Sequence, residues 1–296
     1  AHIDDEGVTF TSHLDGSKHR FTPEVSIATQ HLLGADIIVA FDDCPSPLHD
    51  YQYNVKSLER THRWEIQSLK IHKKLEKSKN LGNNSPLSPD KDSRLLYPYP
   101  HPQYLFGIPH GGEFEDLRKK SALFMASQDF DGFSIGGSLG KSKSDMHQIL
   151  EWTIPRLGEE RPRHLLGIGD VEDLFECVER GIDMFDCVAP TRIARNGAVF
   201  ITPHAGGNKA NKFRFTIMNS AYKEDGEPID KTCTCYTCLN FSRSYIRHLF
   251  NTRELLGYYL TSLHNIHFMM KLSQTIRESI LNDQFEIVKK SWLNLG

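Results

Sequence analysis

No stretch of the 296 residues approaches the roughly 18 apolar residues that a membrane-spanning helix requires; the best is the short run Ala35–Phe41. Charge of one sign is not in excess: 35 Lys and Arg stand against 38 Asp and Glu, a net charge of −3. The whole-chain charge therefore gives no footprint of a basic nucleic-acid binder. The six cysteines do not form a disulfide framework. Cys233, Cys235 and Cys238 crowd together, while Cys44, Cys177 and Cys187 stand alone in apolar segments. That is the usage of a reducing compartment, and a cytoplasmic protein is expected. A glycine-rich dinucleotide fingerprint is also missing. Gly167-Ile168-Gly169 begins one, but Asp170 follows and no third glycine completes it. The first residues, AHIDDEGVTF, are acidic and polar, unlike a signal or transit peptide.

What is present is a succession of short apolar runs separated by helical stretches. The runs are Ala35–Phe41, Tyr104–Ile108, Gly132–Ile135, His164–Ile168, Met184–Val188 and Ala198–Thr202. Each is bounded by Gly, Pro or Asp and reads as a buried parallel strand. Helix periodicity marks Asp116–Ser127, Ser144–Leu157 and Val171–Arg180. Alternating units of this kind predict an α/β protein, either a doubly wound sheet or a (β/α)8 TIM barrel. Polar residues at the ends of several different strands favour the barrel, where such ends converge: Asp42, Asp43, His110, Gly136, Gly137 and Asp186.

The expected division is a barrel domain over residues 1–205 and a zinc-binding, helical subdomain over 206–296. An insertion near 71–103, rich in Lys, Ser, Asn and Pro, interrupts the barrel pattern and reads as an exposed mobile loop. Beyond Thr202 the segment Asn211–Asp230 reads as irregular or hairpin structure, and amphipathic helices follow from Arg243. The tail from Lys231 carries eight Lys and Arg against four Asp and Glu, a local excess that suits an anionic partner.

Four constellations carry chemistry. Cys233, Cys235 and Cys238, with His264 following 26 residues later, have the donor set of a tetrahedral Zn2+ site. All four positions are protein ligands, so the zinc is expected to be structural; His248 and His267 are rival fourth ligands. In Gly181–Arg195 a carboxylate, Asp186, ends a strand, and Arg192 and Arg195 follow closely. That pattern suits a carboxylate working beside a phosphate-bearing substrate, or else a helix cap. The third is the acidic pair Asp42-Asp43 before Cys44-Pro45. The fourth is Gly136-Gly137-Ser138-Leu139-Gly140, where bare backbone N–H groups are open to a substrate oxygen.

Together these segments resemble a queuine-type tRNA-guanine transglycosylase. The likeness covers essentially the whole chain and rests on HLLGADIIVAFDDCPSP, RPRHLLGIGD, ERGIDMFDCVAPTR and the C-x-C-x-x-C cluster with its distant histidine. The resemblance implies a TIM barrel with a zinc subdomain. It also implies an enzyme, a pentosyltransferase, that exchanges the wobble guanine of a tRNA anticodon loop for a 7-deazaguanine. By resemblance Asp186 is the nucleophile, and Asp42, His110, Gly137 and Leu166 contact the base. Arg192 and Arg195 hold the tRNA, and a homodimer is expected. Bacterial members carry Gln where this chain has His110. A run with Gly140 in place of valine suggests a pocket enlarged for queuine over the 7-aminomethyl precursor. The family also has an N-terminal portion with a D-S-G-G-F-Q motif that does not occur here. Six strands then fit a barrel lacking its first two. The alternatives are a catalytically incomplete fragment or a non-catalytic tRNA-binding subunit.

Overall fold

The structure, a computed structural model, describes residues 1–80 and 101–293. It divides into two compact units: Ala1–Leu166 with Arg180–Met184, and Gly167–Glu179 with Phe185–Gly296. The boundary expected at residue 205 lies inside the second unit.

The first unit opens with an antiparallel meander, β1 (His2–Ile3), β2 (Val8–Thr11) and β3 (Lys18–Phe21), paired in the order β1-β2-β3. Helix α1 (Pro23–Leu33) follows. Its start and stop are written locally: Thr22 accepts from the Val25 N–H as N-cap, proline occupies the first turn, and Gly34 ends it in a left-handed conformation. The Gln30 side-chain amide then clamps the next strand, accepting from Val39 N (2.8 Å) and donating to Val39 O (2.9 Å).

That strand, β4 (Ile37–Val39), begins a parallel sheet with β5 (Tyr104–Gly107), β6 (Gly132–Ile135), β7 (Arg163–Leu165) and β8 (Met184–Phe185). The order is β4-β5-β6-β7-β8, so each strand lies beside its successor in the chain. A doubly wound sheet reverses direction partway; a barrel wall does not. The sheet is therefore a curled half-barrel, as the strand-end residues led us to expect. The central strands are buried on both faces, successive residues Leu105–Gly107 of β5 and Gly132–Ile135 of β6 alike, while β4 and β8 are more open.

Between the strands run α2 (Tyr51–Asn80), α3 (Glu115–Ala126) and α4 (Lys143–Thr153), followed by α5 (Val171–Glu179) in the second unit. Helix α2 carries the chain through residues 71–80, which composition assigned to the insertion. His72 and Leu75 are buried there, so helical spacing on an apolar face outweighs the lysine-rich surface composition. The remainder of that stretch, 81–100, lies outside the described residues.

The second unit contains α6 (Ala189–Arg195), β9 (Ala198–Phe200), β10 (Arg214–Thr216), α7 (Tyr236–Asn240), α8 (Arg243–Asn251), α9 (Leu255–Leu281) and α10 (Phe285–Leu293). The sixth expected barrel strand is corrected here. β9 does not join the parallel sheet; it pairs antiparallel with β10, Val199 opposite Phe215. Phe200 packs with Phe213, Phe268 and Leu272 in one core, while Val199 and Ile201 face another that holds Cys235, Cys238 and Ile246. A strand buried on both faces is apolar throughout, whichever sheet it belongs to, so its sequence could not reveal its partner.

Candidate functional site

The segment Phe41-Asp42-Asp43 is held at the end of β4 by a buried polar stripe on α2. Ser68 Oγ accepts from Phe41 N (3.2 Å), Thr61 Oγ1 accepts from Asp43 N (3.0 Å), and Ser57 Oγ donates to Asp43 O (2.8 Å). One turn away on the same stripe, Glu65 Oε1 accepts from Ile108 N at 2.7 Å. Burial pushes the Glu65 carboxyl well above its ordinary range, opposed by that hydrogen bond and aided by the charge of Asp42. The two neighbouring aspartates separate in role. Asp43 is buried and ion-paired with Arg60 (2.6 Å), whereas Asp42, 26 % exposed, meets His110 Nε2 at 2.7 Å.

His110 follows β5. Its backbone N–H donates to Ser121 Oγ on α3 at 2.9 Å, and its ring is 2 % exposed. With Nε2 on the Asp42 carboxylate, Nδ1 is buried without a protein partner. That nitrogen faces the turn after β6: a Cβ on Gly137 would lie 3.1 Å from it. Gly137 has φ +74°, a left-handed conformation that favours glycine and lets the ring approach the bare backbone. Leu166, at the end of β7, lies over Gly136, where a Cβ would be 2.6 Å from Leu166 Cδ1. Asp42, His110, Gly137 and Leu166 thus come together in the first unit. A cleft lined by Ser46, Asn54, Gly112, Glu113 and Ser138, among others, opens beside these loops. Burial, then the charges of Asp42 and Asp43, raise the Cys44 thiol above its usual value.

The second unit holds the other expected residues. Asp186, exposed at the end of β8, accepts from the Gly167 N–H at 2.9 Å. Burial raises the thiol of Cys187 beside it, opposed by a hydrogen bond from Ala189 N and reinforced by Asp170 and Asp186. Arg192 and Arg195 lie three residues apart in the last turn of α6, both exposed.

The cysteines converge on His264 of α9. Its Nδ1 lies 3.7, 3.4 and 3.3 Å from the sulfurs of Cys233, Cys235 and Cys238. Sulfur and nitrogen at ordinary zinc distances in a tetrahedron are about 3.6 Å apart. Its other nitrogen, Nε2, lies 2.8 Å from Phe200 O; donation there leaves Nδ1 as the ligand atom. The donor set and its geometry fit a metal ion. Of the three candidate histidines, His264 is the one brought to the sulfurs. A second group, His31, His72 and Glu76, joins α1 to α2. Its 3.0 Å separation of His31 Nε2 and His72 Nδ1 is that of an imidazole–imidazole hydrogen bond.

Sequence reasoning did not find Glu65, Ser121 or Arg118, all buried against the loops that follow β5 and β6. The polar spacing of Ser57, Thr61, Glu65 and Ser68 on one face of α2 could have flagged the first. An arginine on α3 reads as solvated surface, and no signal distinguishes Arg118 from its lysine neighbours.

Comparison with known proteins bears on this geometry. The family model described as queuine tRNA-ribosyltransferase matches residues 1–295. A protein of Archaeoglobus fulgidus that carries that name provisionally is 48 % identical over 291 residues, covering 98 % of this chain and 66 % of the relative. A queuine tRNA-ribosyltransferase of Roseiflexus sp. is 46 % identical over 295 residues, covering 99 % and 68 %. One of Herpetosiphon aurantiacus is 44 % identical over 293 residues, covering 99 % and 66 %. The chain spans about two thirds of the length of these relatives.

Proposed function

The chain belongs to the queuine tRNA-ribosyltransferase family, and from that premise we propose that it is a pentosyltransferase exchanging a guanine of tRNA for a 7-deazaguanine. The observation that carries this reading is the group formed by the Asp42–His110 pair, the Gly137 turn and Leu166. A purine-like base offers a carbonyl oxygen beside ring and exocyclic N–H groups. The Asp42 carboxylate accepts from those N–H groups, the Gly137 N–H donates to the carbonyl, and Leu166 covers a ring face. His110 borders the same carbonyl position.

In this reading Asp186 is the nucleophile. Its carboxylate oxygen forms a bond to the anomeric carbon of the target nucleotide as the bond from that carbon to the guanine nitrogen breaks. The electron pair leaves with guanine, which takes up a proton. The incoming 7-deazaguanine then gives up its ring proton and displaces Asp186, restoring the carboxylate with net retention, as in retaining glycoside transfer. The Gly167 N–H supports the reading by orienting one oxygen of Asp186. Arg192 and Arg195 would meet anticodon-loop phosphates, and the target base must leave its stack to be reached. A homodimer and a cytoplasmic setting complete the proposal.

The metal in this reading is zinc, held by Cys233, Cys235, Cys238 and His264. Four protein ligands leave no coordination position for substrate, so it stabilises the fold and takes no part in the exchange.

The finer proposal is a preference for queuine over the 7-aminomethyl base, supported by the small residues of Gly136–Gly140. Gly140 also has a local reason: its φ is +85°, and a Cβ would lie 2.2 Å from Asp145 Cβ. Competition between the two bases separates pocket size from backbone need; preference for the aminomethyl base would sink the queuine proposal.

The test of the main reading is a covalent tRNA adduct on a denaturing gel. The protein should form one, and Asp186→Ala should not. An adduct that survives the substitution refutes the nucleophile; tRNA binding without any adduct favours a non-catalytic tRNA-binding subunit or an incomplete fragment.

A further inference from the structure

Arg118 on α3 is a full cation with 0 % exposure. Burial lowers its pKa, but only to about 10, so it stays charged at neutral pH. Its guanidinium is spent on carbonyl oxygens of two loops. Nε donates to Gly112 O (2.8 Å) and Nη1 to Pro109 O (3.1 Å), the two residues that bracket the His110 turn. Nη1 also donates to Gly136 O (3.1 Å) and Nη2 to Ser138 O (2.6 Å), which bracket Gly137. Among the described residues no carboxylate is paired with it.

The contact to Gly136 has a chemical consequence. The peptide that carries Gly136 O also carries the Gly137 N–H. A charged donor on the oxygen draws electron density through the amide and makes the N–H at its other end a stronger donor. Bonds to the carbonyls on both sides of Gly137 also fix that peptide's direction, so little reorganisation remains when a ligand oxygen arrives. A buried charge surrounded only by dipoles is expensive to maintain, and its field falls on the loops it holds.

We propose that Arg118 is the positioning residue of the base site, polarising and aiming the Gly137 N–H toward the base carbonyl while registering the His110 turn against it. This rests on the base-binding reading above. It assigns Arg118 no contact with the base and no part in bond making.

A pair of bases tests the effect: 7-deazaguanine, and 2-amino-7-deazapurine, which lacks the carbonyl oxygen and the neighbouring ring N–H, the latter a loss shared by wild type and variant. Each is titrated into the wild-type protein and into R118Q, with thermal melting followed in parallel. Loss of one polarised hydrogen bond predicts about tenfold weaker binding of 7-deazaguanine and less than about twofold change for the analogue. Equal losses for both bases would mean that Arg118 only holds the loops, and an unchanged affinity for 7-deazaguanine would likewise overturn the proposal. If R118Q does not fold, R118K is read by the same two titrations. It keeps the charge with fewer donors, so an intermediate loss confined to the oxo base is expected, and equal losses overturn the proposal. Wild-type protein that binds neither base contradicts the base-binding reading itself and is distinguishable from both results.

Discussion

Replacing Asp43 by Asn removes the 2.6 Å pair with Arg60 and leaves that guanidinium with the exposed Asp5, at 3.6 Å. We expect a loss of about 1–2 kcal/mol in denaturant unfolding, below the cost of orphaning a fully buried charge because Arg60 is partly exposed and keeps Asp5. Asp42→Asn should shift stability by less than about 1 kcal/mol, because the site is partly open, yet weaken 7-deazaguanine binding. The acidic pair was visible in the sequence, but its division of labour was not, since it depends on Arg60, 17 residues away on α2. His62 gives a pH test. Burial lowers its pKa from 6.5 to about 4, helped by Lys120 and His110, and its ring stacks on Phe124. Below pH 6.5 the unfolded chain takes up a proton that the folded one refuses. Stability is therefore lost as pH falls from 6.5 toward 4, by on the order of 2–3 kcal/mol. Chemical unfolding of His62→Gln across that window should show a flatter profile. Glu65 has the opposite sign: its raised pKa means stability is present below the ordinary carboxyl pKa and is lost as pH rises toward the folded value. Glu65→Gln should remove that loss while still accepting from Ile108 N.

At the scale of elements, the turn from Gly136 to helix α4 is over-determined. Ser142 accepts from Asp145 N, and Asp145 reaches back to the N–H groups of Lys141 and Ser142, a reciprocal cap. Gly140 sits under Asp145 with positive φ, so Gly140→Val should destabilise by about 1–3 kcal/mol whatever the pocket holds. Ser142→Ala should cost about 1 kcal/mol through the lost cap. Thermal melting of both variants, read beside their base preference, checks the two roles of Gly140 separately. Helices α3, α4 and α5 were legible because apolar residues recur at helical spacing over nine to twelve residues. The meander β1–β3 was not, since its strands are two to four residues long and half-exposed, too short for the alternation in Val8–Thr11 to mark one. β9 was legible as a strand and illegible in its pairing, because Val199, Phe200 and Ile201 are buried on alternate faces between two cores.

At the scale of the whole molecule, the two units make separate contributions. The first gathers Asp42, His110, Gly137 and Leu166, and the second carries Asp186, the two arginines and the Cys3His cluster. The Cys3His cluster was the plainest feature of the sequence, since soft ligands at that spacing leave few alternatives. The fourth ligand was not fixed by spacing; the grip of α9 on β9, through Asn265 and His264 on Phe200, brings His264 into place. Metal removal should therefore loosen the second unit first. Hydrogen exchange after chelation is expected to rise at Val199, Ile201 and Ile246, with the strands Leu105–Phe106 and Phe133–Ile135 following later or not at all. The most direct measurement of the central claim is incorporation of radiolabelled guanine into tRNA by the protein and by Asp186→Ala. Turnover by the wild-type protein and a loss of about 10³-fold or more in the variant are expected. Undiminished exchange by Asp186→Ala, or none by the wild-type protein, would contradict that claim.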